Sequence, residues 1–400
     1  MGGGVVIFMA PNVISDVTPM NQRALFNNVL YVTFALGLIL GPIIGGLFVD
    51  YLSWRWTFYM HGPLSIISIV MLLFIIKAPT PVGPVRAKLK RIDWPGIFLL
   101  LSGSLLVLLL LNYGGIRFAW SSIPIIGMSV SGILILAAFV TFEVRFAAEP
   151  LIPGFFFNDS CLRAVFGGFF FIGWVQVVVG YFTPIYFQNV LGFTATASGI
   201  ALLPFLVSMV VSFGLGSIVV SCTGRYRWLI YIGSLLLIAG SALLSTYTLD
   251  TDGALRTASL IIVGIGIGSL SILSTPAQAA AKGREKRIIA GLCNFFRGSG
   301  WAVGMAVSGA LFNNEIISHI QNSSIATLND ALSPESLSNL PSDGQNAILS
   351  YISDAISKNF ELCIVISVIA LVFSLFVEHY ELKEDRGIGI ANVEVLNEKV

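Results

Sequence analysis

The sequence is poor in charged residues and in cysteine. Only 11% of its 400 residues are Asp, Glu, Lys or Arg, whereas soluble globular domains carry roughly 25%. The four cysteines form no CxxC pair and have no metal-ligand spacing, so they indicate neither a disulfide framework nor a zinc site. A net charge of +1 gives no reason to expect a nucleic-acid partner. With 56% apolar residues and a mean hydropathy of +0.88, water is not the main solvent of this chain.

Motifs that carry chemistry are missing as well. The sequence has no GxxxxGK[ST] loop for ATP phosphates, no GxSxG elbow and no Ser/His/Asp arrangement, and its three histidines are far apart. We therefore predict no enzyme activity, no cofactor and no metal site. No apolar run carries a centrally placed Asp or Glu, so the residues themselves give no support for proton coupling.

The apolar residues are gathered in long runs. The runs are about 18 to 25 residues long, which is the length an α-helix needs to cross a hydrocarbon layer about 30 Å thick. Lipid offers the backbone no hydrogen-bond partners, and unbroken runs without alternation exclude a β-barrel. We predict an all-α, polytopic membrane helical bundle with ten full spans, at residues 26–50, 55–76, 95–112, 123–142, 164–188, 197–220, 227–247, 257–279, 288–312 and 360–377.

The basic residues predict how the spans are oriented, because basic loops stay on the cytoplasmic side. Fourteen of the 22 basic residues lie in one set of alternate loops, most densely in 77–94, and only four lie in the other set. The first full span therefore starts inside, and the C-terminus, with the tail 381–400, is cytoplasmic. The polar loop 313–359 then lies outside or in a lumen, where Asn322 begins a glycosylation sequon.

The first full span has an unusual set of glycines around a proline. Glycines four apart share one helix face and let a neighbouring backbone approach, while proline removes a helix hydrogen bond. Alone, this pattern is typical of close helix packing. The complete pattern resembles the antiporter motif GxxxGPxxGG of major facilitator exporters, on residues Gly37, Gly41, Pro42, Gly45 and Gly46.

Further stretches extend the resemblance to the fourteen-helix drug:proton antiporter family of the major facilitator superfamily, in its fungal-type efflux form. Residues 54–63 resemble WRWxFxxNxP, with His61 in place of the usual Asn, and we favour an interfacial polar residue there over a proton site. Residues 186–192 resemble YFQxVxG. Residues 294–300, together with Gly304, resemble FRxxGxxxG of the penultimate helix.

The resemblance implies a division of the chain. Residues 1–76 are similar to the end of helix 4 and helices 5 and 6 of the N-terminal half, and 77–94 to a basic cytoplasmic loop. Two extra linker helices follow at 95–142, and the C-terminal half at 143–380 includes the outer loop. The major facilitator fold would then lack about its first three helices, because the short run 2–10 reads as the end of a fourth. We expect the chain as given not to transport alone.

Polar side chains inside spans are costly and mark either a path for substrate or hydrogen bonds between helices. The candidates for a substrate path are Gln176, Tyr181, Tyr186, Gln188, Gln278, Asn294 and Arg297. Arg297 has two interpretations. It balances an anionic substrate or an acidic partner, or its side chain extends to the membrane interface.

The resemblance implies a secondary-active exporter of small organic molecules, such as a drug, toxin or secondary metabolite, working by proton antiport. The expected partners are a small-molecule substrate, the lipid bilayer and protons. Two alternatives remain open: a siderophore or vacuolar solute transporter, and a truncated membrane remnant that does not transport. The plasma membrane is the expected location, with the vacuolar membrane as the alternative.

Overall fold

The computed structural model describes residues 13, 23–75, 92–147, 150–154, 158–280, 285–320 and 342–378. These ranges contain helices, one isolated bridge between Gly114 and Phe118, and no strand. The helices are α1 Arg23–Tyr51, α2 Trp56–Tyr59, α3 His61–Ile75, α4 Trp94–Tyr113, α5 Ile123–Arg145, α6 Ser160–Ile185, α7 Ala195–Ala201, α8 Leu203–Thr223, α9 Arg227–Leu244, α10 Gly253–Leu270, α11 Ser274–Ala280, α12 Glu285–Ile320 and α13 Ser342–Leu375. The prediction of an all-α fold is confirmed.

Within the described ranges, nine helices or consecutive helix pairs are long and apolar enough to cross a membrane, with a mean hydropathy of 1.6 to 2.4. They correspond to nine of the ten predicted spans. The tenth, at 288–312, lies within α12, which is helical but does not reach the same hydropathy. Asn294, Arg297 and a series of small residues dilute its apolar character.

The polar loop predicted at 313–359 is shorter in the structure, because α12 continues to Ile320 and α13 already begins at Ser342. Polar contacts join these extensions. Lys358 donates a hydrogen bond to Glu315, which lowers the pKa of that carboxyl group, and the ring of His319 stacks on Tyr351 with centroids 4.4 Å apart. Asn322, the short run 2–10, residues 77–91 and the tail lie outside the described residues.

The packed core lies in the second part of the chain. In an apolar 18-residue stretch of each of the spans Ser160–Val190 and Gly253–Ala279, 61% and 67% of the residues are buried, whereas in such a stretch of Val32–Tyr51 only 6% are buried. In the core, α6 packs against α12 and α13, α10 packs against α8 and α9, and α9 packs against α13. Helices α4 and α5 pack against each other as a hairpin, and α4 also contacts α12. The apolar side chains that remain exposed suit a lipid environment.

Several helix boundaries follow from local sequence signals. The carboxylates of Asp93, Asp159 and Asp252 cap the starts of α4, α6 and α10 by accepting backbone N–H bonds. Gly224 ends α8 with a φ of 68°, a left-handed conformation that glycine adopts without a side-chain clash. A short turn after it leads into α9, and both α8 and α9 pack against α10.

Candidate functional site

Helices α6 and α12 approach each other closely because glycines line their contact. A Cβ added at Gly173 would overlap the carbonyl oxygen of Arg297, and one added at Gly300 would overlap that of Phe170. A Cβ at Gly304 would lie 2.7 Å from the Trp174 ring. Because these positions lack side chains, the two backbones come close together, and polar side chains can bridge the two helices.

The bridge is made by Arg297 of α12 and Gln176 of α6. Nε and Nη2 of the guanidinium donate to Oε1 of Gln176 at 3.0 and 2.5 Å. Nε2 of Gln176 donates to Sδ of Met209 in α8 at 3.6 Å. Both side chains of the bridge are partly buried. Three helices thus meet at one polar cluster, which we call the Arg297 cluster and which consists of Arg297, Gln176 and Met209.

The Arg297 cluster carries a positive charge without a neutralising acid. In the part of the chain that the structure describes, no carboxylate lies within ion-pair distance of the guanidinium, and its hydrogen bonds go to the neutral amide of Gln176. A cation in a low-dielectric bundle is expensive unless an anion or water compensates it. The cluster therefore presents a positive potential between α6, α8 and α12.

The other predicted path residues have different environments. Tyr186 is fully buried, donates a hydrogen bond from its hydroxyl to the Thr248 carbonyl at 2.5 Å and packs against Tyr247, so its side chain lies in the packed core. Gln188 is exposed and donates to Oγ of Ser198 at 3.3 Å. Gln278 is exposed near the end of α11.

Tyr181 lines a cavity of about 500 Å³ between α4, α6 and α12. The amides of Asn112, Asn189 and Asn313 share this cavity, and sequence reasoning missed all three. The sequence feature that could have found them is a polar amide at the end of each apolar run. They were missed because an amide at that position is easily taken for an interfacial residue. Asn294 lies on α12 one turn before Arg297 and is exposed.

The glycine-rich motif of α1 packs closely against α7 at Pro42 and Gly46. A Cβ at Gly46 would lie 2.6 Å from Cα of Thr196, and a Cβ at Gly199 would lie 2.6 Å from the carbonyl oxygen of Pro42. At Gly46 the missing side chain of α1 thus leaves room for the α7 backbone, and at Pro42 the missing side chain of Gly199 in α7 does so. Positions Gly37, Gly41 and Gly45 have open space around them within the described residues.

A carboxylate supports this contact between α1 and α7. Asp50, one turn after Gly46, accepts hydrogen bonds from the backbone N–H groups of Ala195 and Thr196 at 3.1 and 2.8 Å. These N–H groups lie at the start of α7, where a helix has unsatisfied donors and a positive dipole end. A residue of the first described helix therefore caps a helix about 145 positions later.

Replacing Gln176 by leucine is expected to lower stability, because Arg297 would lose its acceptor while remaining partly buried. An unsatisfied buried donor costs about 1–3 kcal/mol, and more when it is charged. The double variant Gln176→Leu/Arg297→Met should recover most of the loss, since it removes both polar partners. Thermal unfolding in detergent of the unmodified chain, the two single variants Gln176→Leu and Arg297→Met, and the double variant gives the coupling energy, and additive losses would contradict the hydrogen-bonded pair.

Apolar helices of membrane-spanning length, joined by glycine contacts and by a cationic cluster between helices, define an integral, multi-pass membrane protein. Residues 1–305 match the family model of the Major Facilitator Superfamily, and the chain belongs to this superfamily. The family that the motifs resemble is thereby confirmed at the level of the superfamily.

Relatives agree with this assignment. The chain is 33% identical over 324 residues to the MFS-type efflux transporter ffsH of Aspergillus flavipes, covering 78% of this chain and 56% of the relative. It is 31% identical over 316 residues to the multidrug transporter protein MdtP of Bacillus subtilis, covering 78% and 57%. It is 27% identical over 395 residues to the MFS transporter L2 of a Phoma species, covering 96% and 65%. The chain thus matches between 56% and 65% of the length of these relatives.

A solved structure has the same fold. It is a bacterial homologue of the human lysosomal transporter Spinster, in an inward-facing and occupied conformation. The TM-score is 0.57 at 16% sequence identity, and the match covers 93% of this chain and 73% of that one. At this identity the likeness concerns the fold alone.

Proposed function

We propose that this chain takes part in secondary-active export of small organic molecules, such as a drug, toxin or secondary metabolite, by proton antiport. The observation that carries the proposal is the Arg297 cluster, a polar group held between closely packed helices of the superfamily's fold. Relatives named as efflux and multidrug transporters support the direction of transport. Helices that rock about a central binding region are how such folds move substrates.

We also propose the plasma membrane as the location, with the C-terminus in the cytoplasm. The distribution of basic residues between alternate loops supports this orientation. It puts the Asp50 end of α1, the start of α7 and the extended ends of α12 and α13 on the outer side. The contact of Asp50 with α7 then joins α1 to the later helices at the outer surface.

Drug accumulation in an efflux-deficient yeast tests the proposed export. One strain carries the chain alone, and a second carries a chimera in which the leading segment of the Aspergillus flavipes relative precedes it, which tests whether a longer chain is needed for export. The chain spans 56% of the length of that relative. We expect the chimera to lower the accumulation of at least one fluorescent drug several-fold, and Gly300→Leu to abolish the effect. Substrate binding by purified protein without any change in accumulation would contradict export and favour a membrane protein that does not transport.

A further inference from the structure

The Arg297 cluster leaves part of its guanidinium unused. Arginine has five N–H donors, of which two here go to the single oxygen Oε1 of Gln176. That oxygen has two lone pairs, so it is saturated. Within the described residues the N–H groups of Nη1 are not donated to any acceptor. The cluster therefore holds the guanidinium in place by one edge and has donors left for an acceptor.

Gln176 is itself held in a defined orientation. Its amide nitrogen donates to Sδ of Met209 on α8, so its oxygen is directed at Arg297. The stacked rings of Phe166 and Phe296, 5.0 Å apart, fix α12 one residue before Arg297. An arginine whose rotamer is fixed by neutral partners loses little entropy on binding an anion, and an anion would cancel its charge.

Two side chains with recognition chemistry share the helix face of Arg297. Asn294 lies three residues before it and Trp301 four residues after it, which places all three on one face of α12 with Cβ atoms about 5–6 Å apart along the helix. Asn294 is exposed and Trp301 is 41% exposed. An amide, a guanidinium and an indole ring thus follow one another along this face, where Asn294 and Trp301 are exposed and Arg297 between them is partly buried against α6.

We propose that Arg297, with Asn294 and Trp301 on the same face of α12, binds the anionic group of an organic acid with an apolar body. The guanidinium binds a carboxylate or a similar anion, the amide of Asn294 hydrogen-bonds to it, and the Trp301 ring contacts the apolar or aromatic part. The inference rests on the proposed export function and narrows its substrate to anionic compounds. It also explains why the bundle keeps a costly cation opposite an amide rather than an acid.

Two kinds of carboxylate could bind Arg297: that of a free organic acid, or that of an acidic side chain of the protein. Measuring ligand binding by the purified chain distinguishes between them. The test uses the full chain in nanodiscs of phosphatidylcholine and three fluorescent probes that share one apolar body: pyrenebutyrate, its neutral methyl ester, and the cationic pyrenebutylamine. We expect pyrenebutyrate to bind at least tenfold more tightly than the ester, and the amine to bind most weakly.

Variants then assign the preference to one residue. Arg297→Gln should reduce the affinity for pyrenebutyrate at least tenfold, to that of the ester, and Arg297→Lys should retain part of the preference. Arg227→Gln, which removes an exposed cation bonded to Tyr231 on α9, should leave all three affinities unchanged. Thermal unfolding of each variant in the same nanodiscs shows whether it is folded.

Equal binding of the acid and its ester by the unmodified chain would overturn the inference without any variant, since an acidic side chain would then already occupy Arg297. A preference for the acid that survives in a folded Arg297→Gln protein would overturn it as well. These outcomes differ from failure of the proposed function. If the chain prefers the acid but the chimera exports nothing, the anion site is supported and the proposed export is contradicted. If the chimera exports only neutral compounds, the export is supported and the anion site is contradicted.

Discussion

Replacing Gly300 by alanine is expected to destabilise the bundle more than the same change at Gly298, Gly304 or Gly309 of α12. The new Cβ would overlap the backbone carbonyl oxygen of Phe170, and a backbone atom cannot move aside as the end of a side chain can. Helices α6 and α12 would have to separate, which strains their contact by about 1–3 kcal/mol or more. Separation would also lengthen the hydrogen bonds between Arg297 and Gln176, adding to the loss.

Gly298, two residues earlier, provides the matched control. A Cβ at Gly298 meets nothing within 4 Å, so Gly298→Ala should be neutral or slightly stabilising, as alanine is the better helix former by about 1 kcal/mol. Apparent unfolding temperatures in one detergent, followed by tryptophan fluorescence, give the comparison. If the two variants unfold at the same temperature, the close approach of α6 and α12 is wrong.

Replacing Gly46 by alanine is expected to detach α1 from α7. The added Cβ would lie 2.6 to 2.8 Å from backbone atoms of Ala195 and Thr196, closer than real Cβ contacts allow. The resulting overlap costs about 1–3 kcal/mol. Since α1 has few other contacts with the bundle, the strain is relieved by separation, which also removes Asp50 from the start of α7.

Gly45 offers a control one position away, in the same motif, with open space around its Cβ. Hydrogen exchange of the α7 backbone, measured by mass spectrometry, reports the detachment, because the amides of Ala195 and Thr196 lose their acceptor. We expect several-fold faster exchange in residues 195–201 for Gly46→Ala and no change for Gly45→Ala. Faster exchange in both variants would show that the motif acts through helix propensity rather than through contact with α7.

The sequence predicted the helices well because lipid offers the backbone no hydrogen-bond partners, so a long apolar run must pair its own N–H and C=O groups as a helix. Each long apolar run had to be a helix, and nine of the predicted spans have counterparts of sufficient length and hydropathy in the described residues. The polar loop at 313–359 was predicted too long, because Glu315 and Lys358 look like solvent-exposed residues until the two helices that carry them are seen to be neighbours. Polarity alone does not tell a loop from the projecting end of a helix.

The candidate site was predicted only in part, because helical spacing assigns a residue to a face but does not say which helix lies opposite. The sequence by itself determined the membrane class, the family resemblance and the costly charge of Arg297. Tertiary structure alone decided that Gln176, 121 residues away, is the partner of Arg297 and that Tyr186 belongs to the core. It also decided that Gly46, and not Gly45, touches α7. These facts depend on how helices pack in three dimensions, where small residues let particular pairs of backbones meet.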